Sequence, residues 1–124
     1  MAIIPAPTAP THDLGPTKFT SLVSPTRGSA ETSVWMVEID PDTPATPHSL
    51  TREEVFVVLE GTASVTLGGG DPGTAMAGDA FVVPPDTRFE VANHGIEPLR
   101  MLCCLPVGGQ ARTDEATFTP PWAQ

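Results

Sequence analysis

The sequence predicts one all-β domain, a barrel or sandwich of short strands, on three observations. About eight segments read as strands, at the regular spacing such folds show. Proline is high at 15 and glycine at 11, and both residues punctuate short elements. No long segment carries the hydrophobic period of an amphipathic helix. A chain of 124 residues suits one domain with one core. Its hydrophobic content of 40% argues against disorder of the chain as a whole.

Residues 1–16 are rich in Pro, Ala and Thr and read as an extended arm, disordered alone or laid along a partner subunit as a strand. His12 falls in this arm and reads as a solvated tail histidine. The β domain then runs from 17 to 124. Lys18 to Val23 forms a first strand, ended by Ser24-Pro25 and Arg27-Gly28. Thr32 to Ile39 is the strongest strand signal, β-branched and aromatic, and Asp40-Pro41-Asp42 stops it. Trp35, Val37 and Ile39 share one face and Val34, Met36 and Glu38 the other; either face fits the interior.

Three prolines make a bend of residues 41–47. Thr51-x-x-Glu54 resembles a helix capping box, but the run that follows, Val55-Phe56-Val57-Val58-Leu59, is cut short by Gly61. A strand covered on both faces fits it better. Thr62 to Leu67 alternates strictly, as a half-buried strand does. Residues 68–73 form a glycine-rich loop, and no lysine or helix start follows to make it a phosphate site. Gly78-Asp79, Pro84-Pro85-Asp86 and Asn93-His94-Gly95 are turns separating strands at Ala80–Val83, Arg88–Ala92 and Leu99–Leu105. Residues 106–124 read as irregular, with Phe118 and Trp122 docked on the barrel surface. Closing the sheet hides strand edges that would otherwise aggregate.

Charge and cysteine usage exclude several functions. The net charge is −9 and the six basic residues are scattered singly, which argues against a nucleic-acid partner and an anionic membrane surface. No apolar run approaches the ~20 residues that span a bilayer. The start, Met1-Ala2-Ile3-Ile4-Pro5, lacks the basic and apolar regions of a signal peptide. Cys103 and Cys104 are adjacent, so in a strand they point to opposite faces and do not bond each other. Reduced thiols fit a cytoplasmic location.

Two spaced motifs resemble those of the cupin family, over roughly residues 30–106. The first family motif reads Gly-x5-His-x-His-x3,4-Glu-x6-Gly. Here, over about 42–61, Asp42 takes the first glycine, His48 the first histidine, Leu50 the second histidine, Glu54 the carboxylate and Gly61 the closing glycine. The second reads Gly-x5-Pro-x-Gly-x2-His-x3-Asn. Over about 78–93, Gly78, Pro84 and Asn93 match, whereas Asp86 replaces the glycine and Phe89 the histidine. Asp tolerates the left-handed backbone that such turns need, so both turns survive. The resemblance implies a single-domain, jelly-roll β-barrel of the cupin type, a homodimer, and a metal held inside by three histidines and a glutamate. Leu50 and Phe89 have no lone pair to give. His48 and Glu54 remain as metal ligands of an incomplete site, and a catalytic metal usually takes about three from the protein. Cys103, Cys104 and His94 are the other donors within the resemblance. A divalent transition metal is therefore not the expected cofactor.

Strand alternation places His48, Leu50, Glu54, Phe56 and Val58 on one face, and Phe89 with Thr87 and Val91 on another inward face. The expected pocket is apolar, with His48 and Glu54 as its catalytic or anchoring pair and Leu50, Phe56, Val58, Phe89 and Val91 as its walls. Trp35 and Met36 fit either the pocket wall or an intersubunit face. Cys103 and Cys104 read as buried structural thiols, and Glu53 with Arg52 as a solvated pair at the rim. A filled core in which His48 and Glu54 bond each other is the plain alternative. Three functions fit: a small-molecule-binding protein without metal, a metal-independent isomerase, lyase or cyclase using His48 and Glu54 as acid and base, or a metalloenzyme with an unusual ligand set. The residues alone do not separate the first two.

Overall fold

The structure, a computed structural model, describes residues 2–124. Twelve strands form: β1 His12–Leu14, β2 Thr17–Val23, β3 Thr32–Ile39, β4 Ser49–Leu50, β5 Glu54–Glu60, β6 Thr62–Leu67, β7 Gly73–Met76, β8 Ala80–Val83, β9 Phe89–Ala92, β10 Leu99–Pro106, β11 Ala111–Arg112 and β12 Thr117–Phe118. The only helical elements among the described residues are two three-residue 3-10 turns, Pro25–Arg27 and Pro121–Ala123.

The β3 segment settles its own orientation. It alternates buried and half-buried residues, and Trp35, Val37 and Ile39 are the buried ones. Antiparallel pairing carries that alternation across the sheet. Trp35, Cys103, Phe56 and Phe81 stand opposite one another on β3, β10, β5 and β8, and Val37, Met101 and Val58 make the next row. These strands belong to one six-stranded wall in the order β1-β2-β3-β10-β5-β8. Val55 and Val57, on its outer face, are half-buried, so β5 is covered on both sides as its composition required.

The facing wall is built in two halves, β7-β6-β9 and β12-β11-β4. His48 and Phe89 link them by two backbone hydrogen bonds: the His48 N–H donates to Phe89 O at 3.1 Å, and the Phe89 N–H to His48 O at 2.8 Å. The two walls form a jelly-roll sandwich, and the sheets do not close into the expected barrel. Closure would need continuous ladders at the wall edges. Strands β4, β11 and β12 are only two residues long, and prolines at 44, 47, 84, 85, 120 and 121 supply no N–H to extend them.

Three further expectations are corrected. Part of the presumed arm belongs to this chain's own sheet, because His12–Leu14 pairs with β2; Met1, its first residue, lies outside the described residues. His12 is not a bare tail residue: its ring stands edge-on to Trp122 at 6.2 Å. The last segment is not irregular surface. Phe118 lies in β12, and Trp122 stacks on Phe19 with centroids 3.6 Å apart and planes within 5°. Backbone carbonyls of Trp122 and Ala123 accept hydrogen bonds from the hydroxyls of Ser21 and Ser33, which pins the C-terminus across β2 and β3.

The turns follow backbone chemistry. Asp42 and Asp86 have φ of 58° and 56° and are the only non-glycine residues with positive φ among the described residues. Those are the two positions where aspartate stands for a motif glycine. Asn93 is fully buried and locks the β9–β10 turn: its amide donates to Ile39 O at 3.0 Å and Glu97 O at 2.9 Å, and its carbonyl accepts from Gly95 N at 3.0 Å. Gly61 has φ +80°, and a Cβ there would lie 2.5 Å from Pro98 O. Gly61→Ala therefore meets both backbone strain and a clash with main chain, which together cost roughly 2–4 kcal/mol. Gly78→Ala, at φ +93° with nothing within 4 Å, meets the strain alone, about 1–2 kcal/mol. Urea unfolding of the two variants should show that order.

Candidate functional site

Inward alternation on two facing walls leaves a chamber between them. The chamber has a volume of about 480 Å³. The six-stranded wall contributes Phe19, Trp35, Val37, Ile39, Glu54, Phe56, Met101 and Cys103, and the other wall Leu50, Phe89, Val91, Ala111 and Phe118. The proline-rich bend before β4 adds Thr43, Pro44, Thr46 and His48. The interior is thus open space, and the filled-core alternative does not hold.

Glu54 begins β5, where alternation turns it inward, and it is 5% exposed. No hydrogen bond or ion pair from a described residue reaches its carboxyl, whose oxygens face the chamber. Burial among apolar side chains penalises the charged form and pushes its pKa up to about 8. Burial thus favours the neutral acid, a form able to donate one hydrogen bond.

His48 is held by its neighbours. Its Nδ1 is 2.9 Å from Thr46 O, an atom that can only accept, so Nδ1 carries the proton. Burial lowers its pKa, opposed more weakly by that backbone hydrogen bond. The neutral ring then has its free lone pair on Nε2. The imidazole rests on Phe89 with centroids 4.3 Å apart, and Phe89 in turn stands edge-on to Phe56 at 5.9 Å. No hydrogen bond or ion pair joins His48 to Glu54. The two groups share the chamber without neutralising each other.

Of the residues singled out from sequence, His48, Leu50, Glu54, Phe56, Phe89 and Val91 all line the chamber. Val58 does not. It faces inward as alternation requires but is fully buried in the packed core with Val83 and Leu99; its short side chain does not reach the chamber wall. Thr87 also falls outside, its hydroxyl turned to Pro85 O at 3.4 Å. Sequence reasoning left Trp35 open, missed Met101 and Phe19, and placed Trp122 and Phe118 on the outside. The periodicity of β3 and β10 held the signal for Trp35 and Met101, and only the fold brings in the C-terminal pair.

Cys103 lies on the chamber wall and is buried, while Cys104 is half-buried on the opposite face; both are free thiols. Burial, then the neighbouring Glu54 and Cys104, push the Cys103 thiol well up, so it is no nucleophile at neutral pH. His94 is exposed on its turn, and no three of His, Cys, Asp and Glu among the described residues come together as a metal-binding group. The residues at the resemblance's metal positions do not fit a metal: Leu50 and Phe89 present hydrocarbon where donors are needed.

Fold and chamber define a jelly-roll sandwich protein with an interior, largely apolar cavity. Residues 35–105, more than half of the chain, match the family described as Cupin domain, and the chain belongs to that family. It is 37% identical over 54 residues to the uncharacterized protein MJ1618 of Methanocaldococcus jannaschii, a match that covers 44% of this chain and 42% of that protein. The polyketide cyclase RemF from Streptomyces resistomycificus superposes with a TM-score of 0.72 at 18% identity, covering 94% of this chain and 79% of RemF. KdgF from Halomonas sp. superposes with a TM-score of 0.65 at 22% identity, covering 84% and 87%. These likenesses are of fold. No helix among the described residues is long and apolar enough to cross a membrane.

The unpaired acid makes stability depend on pH. The folded chain keeps a proton on Glu54 that the unfolded chain releases above the ordinary value of 4.5. The stabilisation is complete below that pH and is lost as pH rises toward about 8. Glu54→Gln removes the titration. The variant should match wild type near pH 4.5 and exceed it by on the order of a few kcal/mol at pH 8, read from urea unfolding at both values. A gap that does not change with pH would show that Glu54 is not buried as an acid.

Proposed function

We propose that the chamber binds a small, largely apolar molecule without a metal ion, and that Glu54 and His48 hold its polar end. The carboxyl of Glu54 supports this reading most directly. It lies on the chamber wall and takes no hydrogen bond from a described residue. A ligand atom that accepts its proton would take up that free hydrogen-bonding capacity. The rest of the wall offers apolar contact, with few polar groups to set orientation, as small-molecule sites commonly do.

A second reading makes the same pair an acid and a base. Glu54 is an acid that keeps its proton near neutrality, and His48 is a neutral base with Nε2 free. His48 would take a proton from carbon next to a ligand carbonyl, and Glu54 would give its proton to the carbonyl oxygen, forming an enol. Protonation of another carbon by His48 completes an isomerisation; protonation of a β-hydroxyl by His48, with the enol proton returned to Glu54, expels water in a dehydration; attack of the enol carbon on a second carbonyl, whose oxygen takes the His48 proton, closes a ring. The fold also occurs in a polyketide cyclase, which suits this reading without selecting the reaction.

Elemental analysis of protein purified without chelators should find transition metal far below one per chain. A stoichiometric metal that disappears in His48→Ala overturns the metal-free reading. Native mass spectrometry of the same sample should show a bound organic molecule, whose identity supplies the substrate for the second reading. Glu54→Gln should then abolish its turnover and leave its binding nearly intact; full turnover in that variant removes Glu54 from catalysis.

A further inference from the structure

The outer face of the six-stranded wall points away from the chamber, and antiparallel register carries three rows of side chains across it. Lys18, Glu38, Arg100 and Glu60 stand side by side on β2, β3, β10 and β5. Their charges alternate, and Arg100 reaches both neighbours, Glu60 at 3.2 Å and Glu38 at 3.8 Å. The next row is Met36, Leu102, Val57 and Ala80, on β3, β10, β5 and β8. Val34, Cys104, Val55 and Val82 make the row beyond it on the same strands. No charged side chain interrupts these two apolar rows. At the β5–β8 side, Val82 is 46% exposed and Leu59 41% exposed.

The proline-rich N-terminal segment flanks the opposite side. Residues 6–10 and the outer side chains of β2 and β3 bound a groove of about 360 Å³, into which Lys18, Met36, Glu38 and Arg100 also face. No ion pair reaches Lys18 from a described residue.

Charge decides what fits this face. The chain carries −9, so two copies repel each other over most of their surface. The charged row, two bases against two acids, sums to zero, and a strongly basic or acidic partner finds no net charge there to attract it. A twofold axis running along the strands, between β3 and β10, turns the row end for end. Lys18 then meets Glu60 of the partner subunit, and Glu38 meets the partner's Arg100. All four contacts across the axis are between opposite charges. The apolar rows pack on their counterparts as two aligned sheets do, about 10 Å apart. Reversed strand order also brings Val82 of the partner subunit to the groove beside the N-terminal segment.

We propose that this face joins two copies of the chain about that axis, with the alternating charged row fixing the register. Sedimentation velocity at about 100 µM, where a micromolar dimer is almost fully associated, should give twice the chain mass. Arg100→Glu sets acid against acid at two contacts, and Glu38→Arg sets base against base. Each should weaken the dimer at least about tenfold. These side chains are 36% and 41% exposed, so the fold tolerates the change. An equimolar mixture of the two single variants should dimerise within about threefold of wild type. The reversed residues face each other only across the axis, so repair of a pair inside one chain does not produce that result. Lys18→Glu and Glu60→Lys, at the ends of the row, should behave in the same way singly and mixed. A monomeric wild type overturns the proposal, whether the face is then bare or held by another protein. A dimer that all four single variants leave intact overturns this face as the interface. Mixtures that stay monomeric overturn the twofold pairing.

Discussion

The paired backbone hydrogen bonds between His48 and Phe89 hold the site together. They join two three-stranded half-sheets into one wall, and a third bond, from Asp86 N to Leu50 O at 2.7 Å, runs beside them. Strand β4 is two residues long and pairs otherwise only with β11. Strand pairs that short are not stable alone. The bridge is therefore what fixes the imidazole against the Phe89 ring and keeps Leu50 and Phe89 on the chamber wall. The left-handed turn at Asp86 brings the chain to this point, which explains why backbone conformation was kept there without glycine.

Once His48 and Glu54 share a chamber, their charge states follow from burial. An ion pair would need contact, and none exists within bonding distance. Transfer of each charge from water would still cost several kcal/mol. Neutral forms avoid that cost, so the acid rises and the base falls. The two shifts have the same origin, desolvation, and act in opposite directions because the neutral form of one is protonated and of the other is not. Burial thus favours the protonated form of Glu54 and the unprotonated form of His48.

Much of this was legible in the sequence. Strand periodicity located the long strands, and the two motif spacings gave the fold family and both aspartate turns. Alternation turned His48, Leu50, Glu54, Phe56, Phe89 and Val91 toward the chamber, and Val58 and Thr87 fell outside it. What escaped it was set by tertiary pairing. The two-residue strands β4, β11 and β12 carry no period to read. Trp122 is two residues from the chain end, yet it reaches the chamber because its backbone carbonyl meets Ser21 on a strand about a hundred residues away. Val58 obeyed alternation and still missed the chamber, since facing inward does not say whether a position meets packed core or open space. Barrel closure was overestimated for a related reason: strand count is local, whereas closure depends on whether edges have donors to pair.

Leu50 and Phe89 do more than remove two donors. They are 2% and 1% exposed, and burying side chains of that kind stabilises the fold by about 1.5–3 kcal/mol each. A polar side chain in either place would forgo that contribution. The same shortage of donors leaves Glu54 without hydrogen bonds and raises its pKa. Leu50 and Phe89 line the same chamber as Glu54 and present hydrocarbon to it, so they add to the apolar surroundings that desolvate the acid.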